Sequence, residues 1–384
     1  MVTGSRGDLI LRGGTVVDPY REVFGQADVL IRDGEVVASP AGGNVTAEKT
    51  VDVTGCLVLP GLVDYHTHLF PGGTYIGVSP DPALLPQGVT TAVDQGSTGV
   101  SNVDGFFAAV ANTSQVRVFA YLHVSSAGLA TLPFSMEQVD PATFNLAAAG
   151  RLFAKYGRRL LGFKVRQSAE IVGEWGLEPL KAAIRMAEAV NCPVVVHTTN
   201  PPGDVDDLVS LLRRGDVFTH VYQGRGSTIL GADGKVRRAV RDARARGVIF
   251  DCADGRFHYA LKVQKTAIAD GFEPDIISTD LTQGNVYDGS VFGLPAVMSK
   301  YLALGVSLPA VVRACTASPA RLLGMEGKLG TLAPGAYADV AVFRLQEMPL
   351  EFRDAAGEVL TCSQVFIPRM TVLGGRVVYR SLEL

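Results

Sequence analysis

Leu59-Pro60-Gly61-Leu62-Val63-Asp64-Tyr65-His66-Thr67-His68 is an apolar run that ends in two histidines on alternate residues. In a strand the side-chain period is two, so His66 and His68 project from one face and can grip one ion together. The run also opens a series. Strand-like apolar runs recur at 62–68, 88–95, 116–124, 160–166, 193–199, 216–222, 248–253 and 275–281, with helical patterns between them. Runs this apolar suit strands buried on both faces of a parallel sheet, and eight of them predict a closed (β/α)8 TIM barrel; an open doubly wound sheet is the alternative. The intervening helices fit. Glu178–Val190 has Pro179 in its first turn and an apolar stripe at helical spacing, ending at Asn191. The basic run 235–246 carries Val236, Ala239, Val240 and Ala243 on one face, so its arginines read as the solvated side of an outer helix.

The two ends have another texture. From Asp8 to Leu59, and again from Gly330, short β-rich runs alternate with turns such as Asp33-Gly34. Neither end encloses a core alone, so segments 1–59 and 328–384 are expected to pair into one small β-sandwich flanking a barrel of residues 60–327. The 384 residues are 47% hydrophobic and 19% charged, as in an ordinary soluble globular protein. A net charge of -3 and a pI near 6.1 provide no basic field for nucleic acid. Without a long apolar run or a signal-peptide core, neither a membrane partner nor secretion is expected, and the reading is cytoplasmic. In that context Asn44-Val45-Thr46 is a chance glycosylation motif. The five cysteines are far apart and form no C-x-x-C pair, so they read as small buried hydrophobes, with Cys252 alone a candidate pocket residue.

Barrel enzymes place their chemistry at the C-terminal ends of the strands. His66 and His68 end the first run, Lys164 lies in the fourth, His197 ends the fifth, His220 the sixth and Asp280 the eighth. Four of the six histidines thus fall at equivalent strand ends. A single histidine there is more often a hydrogen-bonded rim residue, Asp280 alone reads as a helix cap, and Lys164 alone as a snorkelling or paired cation. The combination points to a metal site instead. An ammonium beside a divalent ion would be repelled, so Lys164 must lose its proton or change its charge. Carbon dioxide taken up by the neutral amine gives an anionic carbamate with two oxygens. His66, His68 and Asp280 are then assigned to a first ion, and His197 and His220 to a second, with carboxylated Lys164 and a hydroxide bridging both. Two dications against these anions leave a formal charge of about +1, suited to polarising a carbonyl. A mononuclear site with free Lys164 is the alternative.

These residues resemble the amidohydrolase superfamily of metal-dependent hydrolases over nearly the whole chain. The likeness extends to Gly88-Val89-Thr90-Thr91, to Phe218-Thr219-His220, to Ser278-Thr279-Asp280 and to the tail segment 327–339. Gly162-Phe163-Lys164-Val165-Arg166 and the Pro201-Pro202 after His197 place it nearest the amidohydrolase/deacetylase, dihydroorotase-like subgroup. The resemblance implies a binuclear zinc hydrolase with an N6-carboxylated lysine, acting on acetyl amides or acetyl esters of small carboxylates. Two departures touch the pocket wall: relatives have His-Gly where this chain has Ala253-Asp254-Gly255, and a histidine where it has Thr282.

The expected reaction is attack of the bridging hydroxide on a small N-acetyl or O-acetyl carboxylate, with Asp280 as general base then acid. A cyclic amidase of dihydroorotase or hydantoinase type uses the same metals, and a non-catalytic scaffold of this fold is the reading from another class. Zinc suits the donors, though manganese, cobalt or iron would also fit. Arg166 is a candidate for a substrate carboxylate, with a rim salt bridge the plain alternative. His123, His258, Tyr222 and Gln223 are candidate substrate contacts, and Trp175 is a candidate pocket wall. The partner is a small molecule, and a homo-oligomer is compatible with the sequence.

Overall fold

The computed structural model describes residues 6–38, 46–288 and 291–384, so Asn44 of the glycosylation motif lies outside the described residues. Strands β1 (Arg6–Arg12), β2 (Thr15–Asp18), β3 (Val23–Gln26), β4 (Val29–Arg32), β5 (Glu35–Val37), β6 (Thr46–Asp52) and β7 (Leu57–Pro60) come first. The Asp33-Gly34 turn joins β4 to β5 with φ of 51° and 77°, the two positive values that a two-residue hairpin loop needs.

The central strands are β8 (Leu62–Thr67), β9 (Val89–Gln95), β10 (Arg117–His123), β11 (Leu160–Arg166), β12 (Val194–His197), β13 (Val217–Thr219) and β14 (Ile249–Asp251). They form one parallel sheet in sequential order. The eighth run corrects the expectation of a strand. Residues 275–281 form no continuous strand, but isolated parallel bridges tie Ile276 to Asp251 on β14 and Leu281 to Thr67 on β8. Here the amides turn to side chains: Ser278 N donates to Cys252 Sγ and Thr279 N to Asp64 Oδ1, and Asp280 adopts φ of 53°. Ladder pairing is lost where these bonds replace it.

The C-terminal strands are β15 (Val340–Arg353), β16 (Val359–Leu373) and β17 (Arg376–Arg380). They extend a six-stranded sheet, β17-β16-β15-β7-β2-β3, while β5-β4-β1-β6 form a second sheet. Between these sheets lies an apolar cluster with Leu11, Ile31 and Val58 from the N-terminal segment and Val340, Val342 and Val372 from the C-terminal one. Buried Asp18 accepts from Thr331 Oγ1 and Leu332 N at 2.8 Å, fastening the two chain ends together. The β15–β16 hairpin is longer than the sequence reading allowed. Its exposed polar residues carry no apolar alternation, but at its tip Asp354 accepts from Leu261 N.

Around the central sheet, the helix Glu178–Val190 closes on Asn191 at φ of 53°, as its sequence predicts. The helix Arg238–Arg246 buries Val240 and Ala243, while Arg241 and Arg244 reach Asp270 and Asp275. Cys56, Cys252, Cys315 and Cys362 are buried thiols and Cys192 is half-buried. No helix among the described residues is long and apolar enough to cross a membrane.

Candidate metal centre

The ends of the central strands bring His66, His68, Lys164, His197, His220 and Asp280 together, all buried. Each element delivers its side chain for a local reason. β8 presents His66 from its last turn of pleat, and His68 follows with its carbonyl accepting from Val78 N and its own amide donating to Leu281 O. β11 runs Leu160–Arg166 with Lys164 inward, in register with Val195 on β12. β13 stops at Thr219, so His220 sits just beyond it at φ of 62° and turns inward; Ala253 and Asp280 share that left-handed conformation at 38° and 53°. Three non-glycine residues held in a sparsely populated conformation at one spot mark a place where packing overrides backbone preference.

Side-chain partners set the imidazole lone pairs. His220 Nδ1 lies 2.7 Å from the carbonyl of Ala253, which only accepts, so Nδ1 carries the proton and Nε2 is bare. His66 Nδ1 faces Asp251 Oδ2 at 3.2 Å and Thr219 Oγ1 at 3.0 Å, which turns Nε2 to the centre. His68 Nδ1 meets Ser97 Oγ at 3.0 Å, and Asp94 fixes Ser97 by accepting from its amide at 2.8 Å. Such outer partners orient metal-binding histidines and raise their basicity. On the inner side, Asp280 Oδ1 lies 3.5 Å from His66 Nε2 and 3.3 Å from His68 Nε2. Lys164 Nζ is 3.2 Å from His66 Nε2, and His220 Nε2 is 2.7 Å from His197 Nδ1.

The electrostatics fit a cation. Burial lowers His66, His197 and His220 well below their ordinary value, keeping the rings neutral as ligands must be. Burial also pulls Lys164 down to about 7, so a neutral amine is accessible near neutral pH. For Asp280 burial alone would raise the carboxyl, but hydrogen bonds from His258 and His68 and the neighbouring imidazoles carry it well below the usual carboxylate range. Among the described residues, two donor groups have ligand atoms within 4.8 Å of one another: His66, His68 and Asp280, and His220, His258 and Asp280. Imidazoles with converging ring nitrogens, an ionised carboxylate and an amine that can lose its proton near neutral pH are the donor set that a divalent ion takes.

The other candidates divide. Arg166 lines a pocket of about 190 Å³ with His68, Ile76, Gln95, Leu129, Leu132, Lys164, His197, His258, Asp280 and Thr282. His258 is drawn closer than expected, its Nδ1 2.7 Å from Asp280 Oδ2. His123 is buried behind the wall and is not a lining residue, and its Nδ1 accepts from Ser125 N. Tyr222 and Gln223 do not reach the pocket: the Tyr222 hydroxyl donates to Phe272 O, while Gln223 donates to Ser227 O and accepts from Arg225 N. Trp175 is half-exposed and Cys252 wholly buried, and neither lines it. Asp254, at one departure from relatives, faces Lys300 Nζ at 2.5 Å in the interior. A larger cavity of about 400 Å³, lined by Pro71, Val78, Pro82, Gln283 and Tyr287, has no charged wall.

Sequence reasoning missed the supporting shell of Asp94, Ser97, Thr219 and Asp251, and Glu137, which binds Arg166. Asp94 and Asp251 carried a signal as acidic residues inside apolar strands; Glu137, in a long loop, carried none.

Gly96 offers a test of the Lys164 position. At φ of +78°, a Cβ here would stand 2.7 Å from Lys164 Cβ and 2.8 Å from its Cγ, atoms too near the main chain to swing away. Gly96→Ala is expected to weaken metal affinity by about 10-fold or more. Gly215→Ala, at φ of +89° with nothing within 4 Å, isolates backbone strain. Competition against a chromophoric chelator measures both; equal affinities in the two variants would contradict this placement.

A model of the amidohydrolase family matches residues 57–378. The chain is 33% identical over 358 residues to a deacetylase of Agrobacterium fabrum, covering 92% of this chain and 87% of that protein. It is 27% identical over 431 aligned positions to a dihydroorotase of Pelotomaculum thermopropionicum, covering 96% and 98%. Among solved structures, an adenine deaminase superposes with a TM-score of 0.89 at 26% identity, covering 98% of this chain and all of that one. A dihydroorotase superposes with a TM-score of 0.87 at 31% identity, covering 97% and 99%. These neighbours imply a (β/α)8 barrel, and the family generally uses a divalent metal centre. By the extent of the family match and of the relatives it covers, the chain belongs to the amidohydrolase family and is a hydrolase.

Proposed function

We propose that this hydrolase removes the acetyl group from a small N-acetyl or O-acetyl carboxylate. Residues 275–281 then stand as the eighth segment of a closed barrel, and segments 1–59 and 328–384 as its flanking β domain. The observation that carries the reading is the 190 Å³ pocket, where a guanidinium, Arg166, shares one space with Asp280 and the imidazole cluster. Its volume suits a small acyl compound, and Ile76, Leu129 and Leu132 supply apolar walls. The deacetylase relative supports the acetyl group as the one removed.

His66, His68 and Asp280 would hold one divalent ion, His197 and His220 a second, and N6-carboxylated Lys164 would bridge them; zinc suits this donor set. The ions, when bound, supply an activated water and polarise the scissile carbonyl. The chain does the rest. Asp280 takes the proton of the attacking water and passes it to the leaving nitrogen or oxygen. His258 Nδ1, 2.7 Å from Asp280 Oδ2, holds the carboxylate in one orientation. Arg166 takes the substrate carboxylate through the N–H groups that Glu137 leaves free, fixing the acetyl carbon over the centre. Leu129 and Leu132 give the pocket an apolar wall that would keep water from a bound substrate.

The dihydroorotase relatives favour a second reading, cyclic amide hydrolysis on the same ligands. Elemental analysis with a panel of N-acetyl amino acids, O-acetyl hydroxy acids, dihydroorotate and hydantoins separates them. The expected result is about two ions per chain and turnover of acetyl compounds, lost on chelation and restored by zinc. Ring opening alone replaces the deacetylase reading with the cyclic amidase one. Metal absent after a chelator-free preparation removes both and leaves a scaffold.

A further inference from the structure

The loop after β10 covers one side of the pocket, contributing Leu129 and Leu132 to its wall. Phe134 and Met136 in the same loop point to solvent, 94% and 50% exposed, so burial does not hold this stretch. Between them and the core lies Glu137, whose side chain is wholly buried, with both carboxylate oxygens 2.9 Å from Arg166 Nη1. A buried carboxylate needs a charged or hydrogen-bonding partner, and Arg166 is that partner. On the far side stands His123. Because its Nδ1 accepts from Ser125 N, its neutral ring carries the proton on Nε2, which makes no hydrogen bond among the described residues and lies 4.0 Å from Glu137 Oε1.

We infer that Glu137 is a positioning residue that aims the Arg166 guanidinium into the pocket and so sets the preference for carboxylate-bearing ligands over neutral ones. The inference rests on the reading of Arg166 as the carboxylate anchor. An unheld arginine distributes its fork over several rotamers, and a ligand must then order it on binding. Glu137 takes Nη1 alone, so the remaining N–H groups are left for a ligand, in a plane that this pairing fixes. His123 Nε2 limits how far Glu137 can withdraw, because the carboxylate sits between the imidazole N–H and the guanidinium. Glutamine at position 137 would keep an acceptor for Nη1 and hence the aim; alanine would keep none.

The test uses the zinc-loaded full chain and two ligands of one shape, 3-phenylpropionate and its neutral primary amide, titrated by calorimetry. Glu137→Ala is expected to weaken the carboxylate about 10- to 100-fold while the amide changes less than about two-fold, and Glu137→Gln to recover most of the loss. Equal losses for both ligands would reduce Glu137 to a loop anchor and overturn the inference, as would an unchanged carboxylate affinity. Should Glu137→Ala fail to fold, Glu137→Gln is compared with Glu137→Leu, which matches its bulk without an acceptor and is expected to show the same split. Arg166→Met addresses the underlying reading: if it leaves the carboxylate affinity intact, Arg166 is not the anchor, whatever Glu137 does. In the Arg166→Met background the Glu137 substitution should have no further effect on either ligand.

Discussion

Asp280→Asn is expected to lower kcat by about 10²- to 10⁴-fold with the fold unchanged by circular dichroism. The side chain belongs to both groups of converging ligand atoms, one with His66 and His68 and the other with His220 and His258. Its Oδ1 stands within 3.5 Å of the ring nitrogens of His66 and His68, while its Oδ2 is held by His258. Asparagine keeps the shape and an acceptor at Oδ1 but accepts no proton. Hydrogen bonds to the carboxylate carry the Asp280 pKa well below its ordinary value against burial, so the group is ionised throughout the neutral range. Its folded pKa is below its unfolded one, so its contribution to stability is present above the unfolded value and fades as pH falls through the folded one. The substitution therefore removes charge at every working pH, and raising the pH does not rescue it. Metal content separates two roles. A variant with its ions in place and kcat reduced this far has lost the proton carrier, whereas a variant without ions has lost a ligand. An activity within about 10-fold of the wild type, metals retained, would take the proton-transfer role from Asp280.

The residues that make the cluster were legible because βα periodicity places strand ends on one face, and histidine at such an end is rare enough to notice. His66, His68, His197, His220 and Asp280 lie at ends read directly from apolar runs and Lys164 lies within one, and the structure brings all six together. The run 275–281 misleads for a physical reason. Its composition is that of a strand, yet Thr279 donates to Asp64 and Ser278 Oγ to Asp251, so side chains a propensity argument treats as passive redirect the backbone. Tyr222 and Gln223 follow His220 in sequence, but proximity along the chain says nothing about direction after a left-handed residue. Glu137 was beyond reach in a different way. The loop from Val124 to Asn145 has no periodicity that fixes where one carboxylate comes to rest, and only the tertiary contact with Arg166 gives it meaning. The proposed specificity residue is therefore less readable than the candidate metal ligands here, since Glu137 sits in a loop whose position depends on long-range packing.

Lys164→Met is expected to have opposite effects on metal-free stability and on activity. In the metal-free chain, burial holds the Lys164 ammonium down to about 7, against an ordinary 10.5. Between those values the unfolded chain binds more protons than the folded one, so this lysine makes stability rise with pH across that window; below about 7 both states are protonated and the penalty of burying the charge is constant. Asp64, raised to about 7, and Asp251, raised to about 6, act in the opposite sense at lower pH, so the Lys164 contribution is read as the difference between wild type and variant. Methionine removes the buried cation and fills its space, and the stripped variant should denature later than the stripped wild type, with the gap narrowing from pH 7 to 9. Activity should move the other way, falling by about 10³-fold or more with loss of metal, because no carbamate can form. On the proposed reading the uncharged amine would attack carbon dioxide, forming an N–C bond and releasing a proton as the anion appears. Metal uptake by stripped protein should accordingly quicken with added bicarbonate and with pH through about 7, and the variant should respond to neither. Uptake indifferent to bicarbonate, with activity intact in Lys164→Met, would instead leave a centre held by His66, His68, His197, His220 and Asp280 alone.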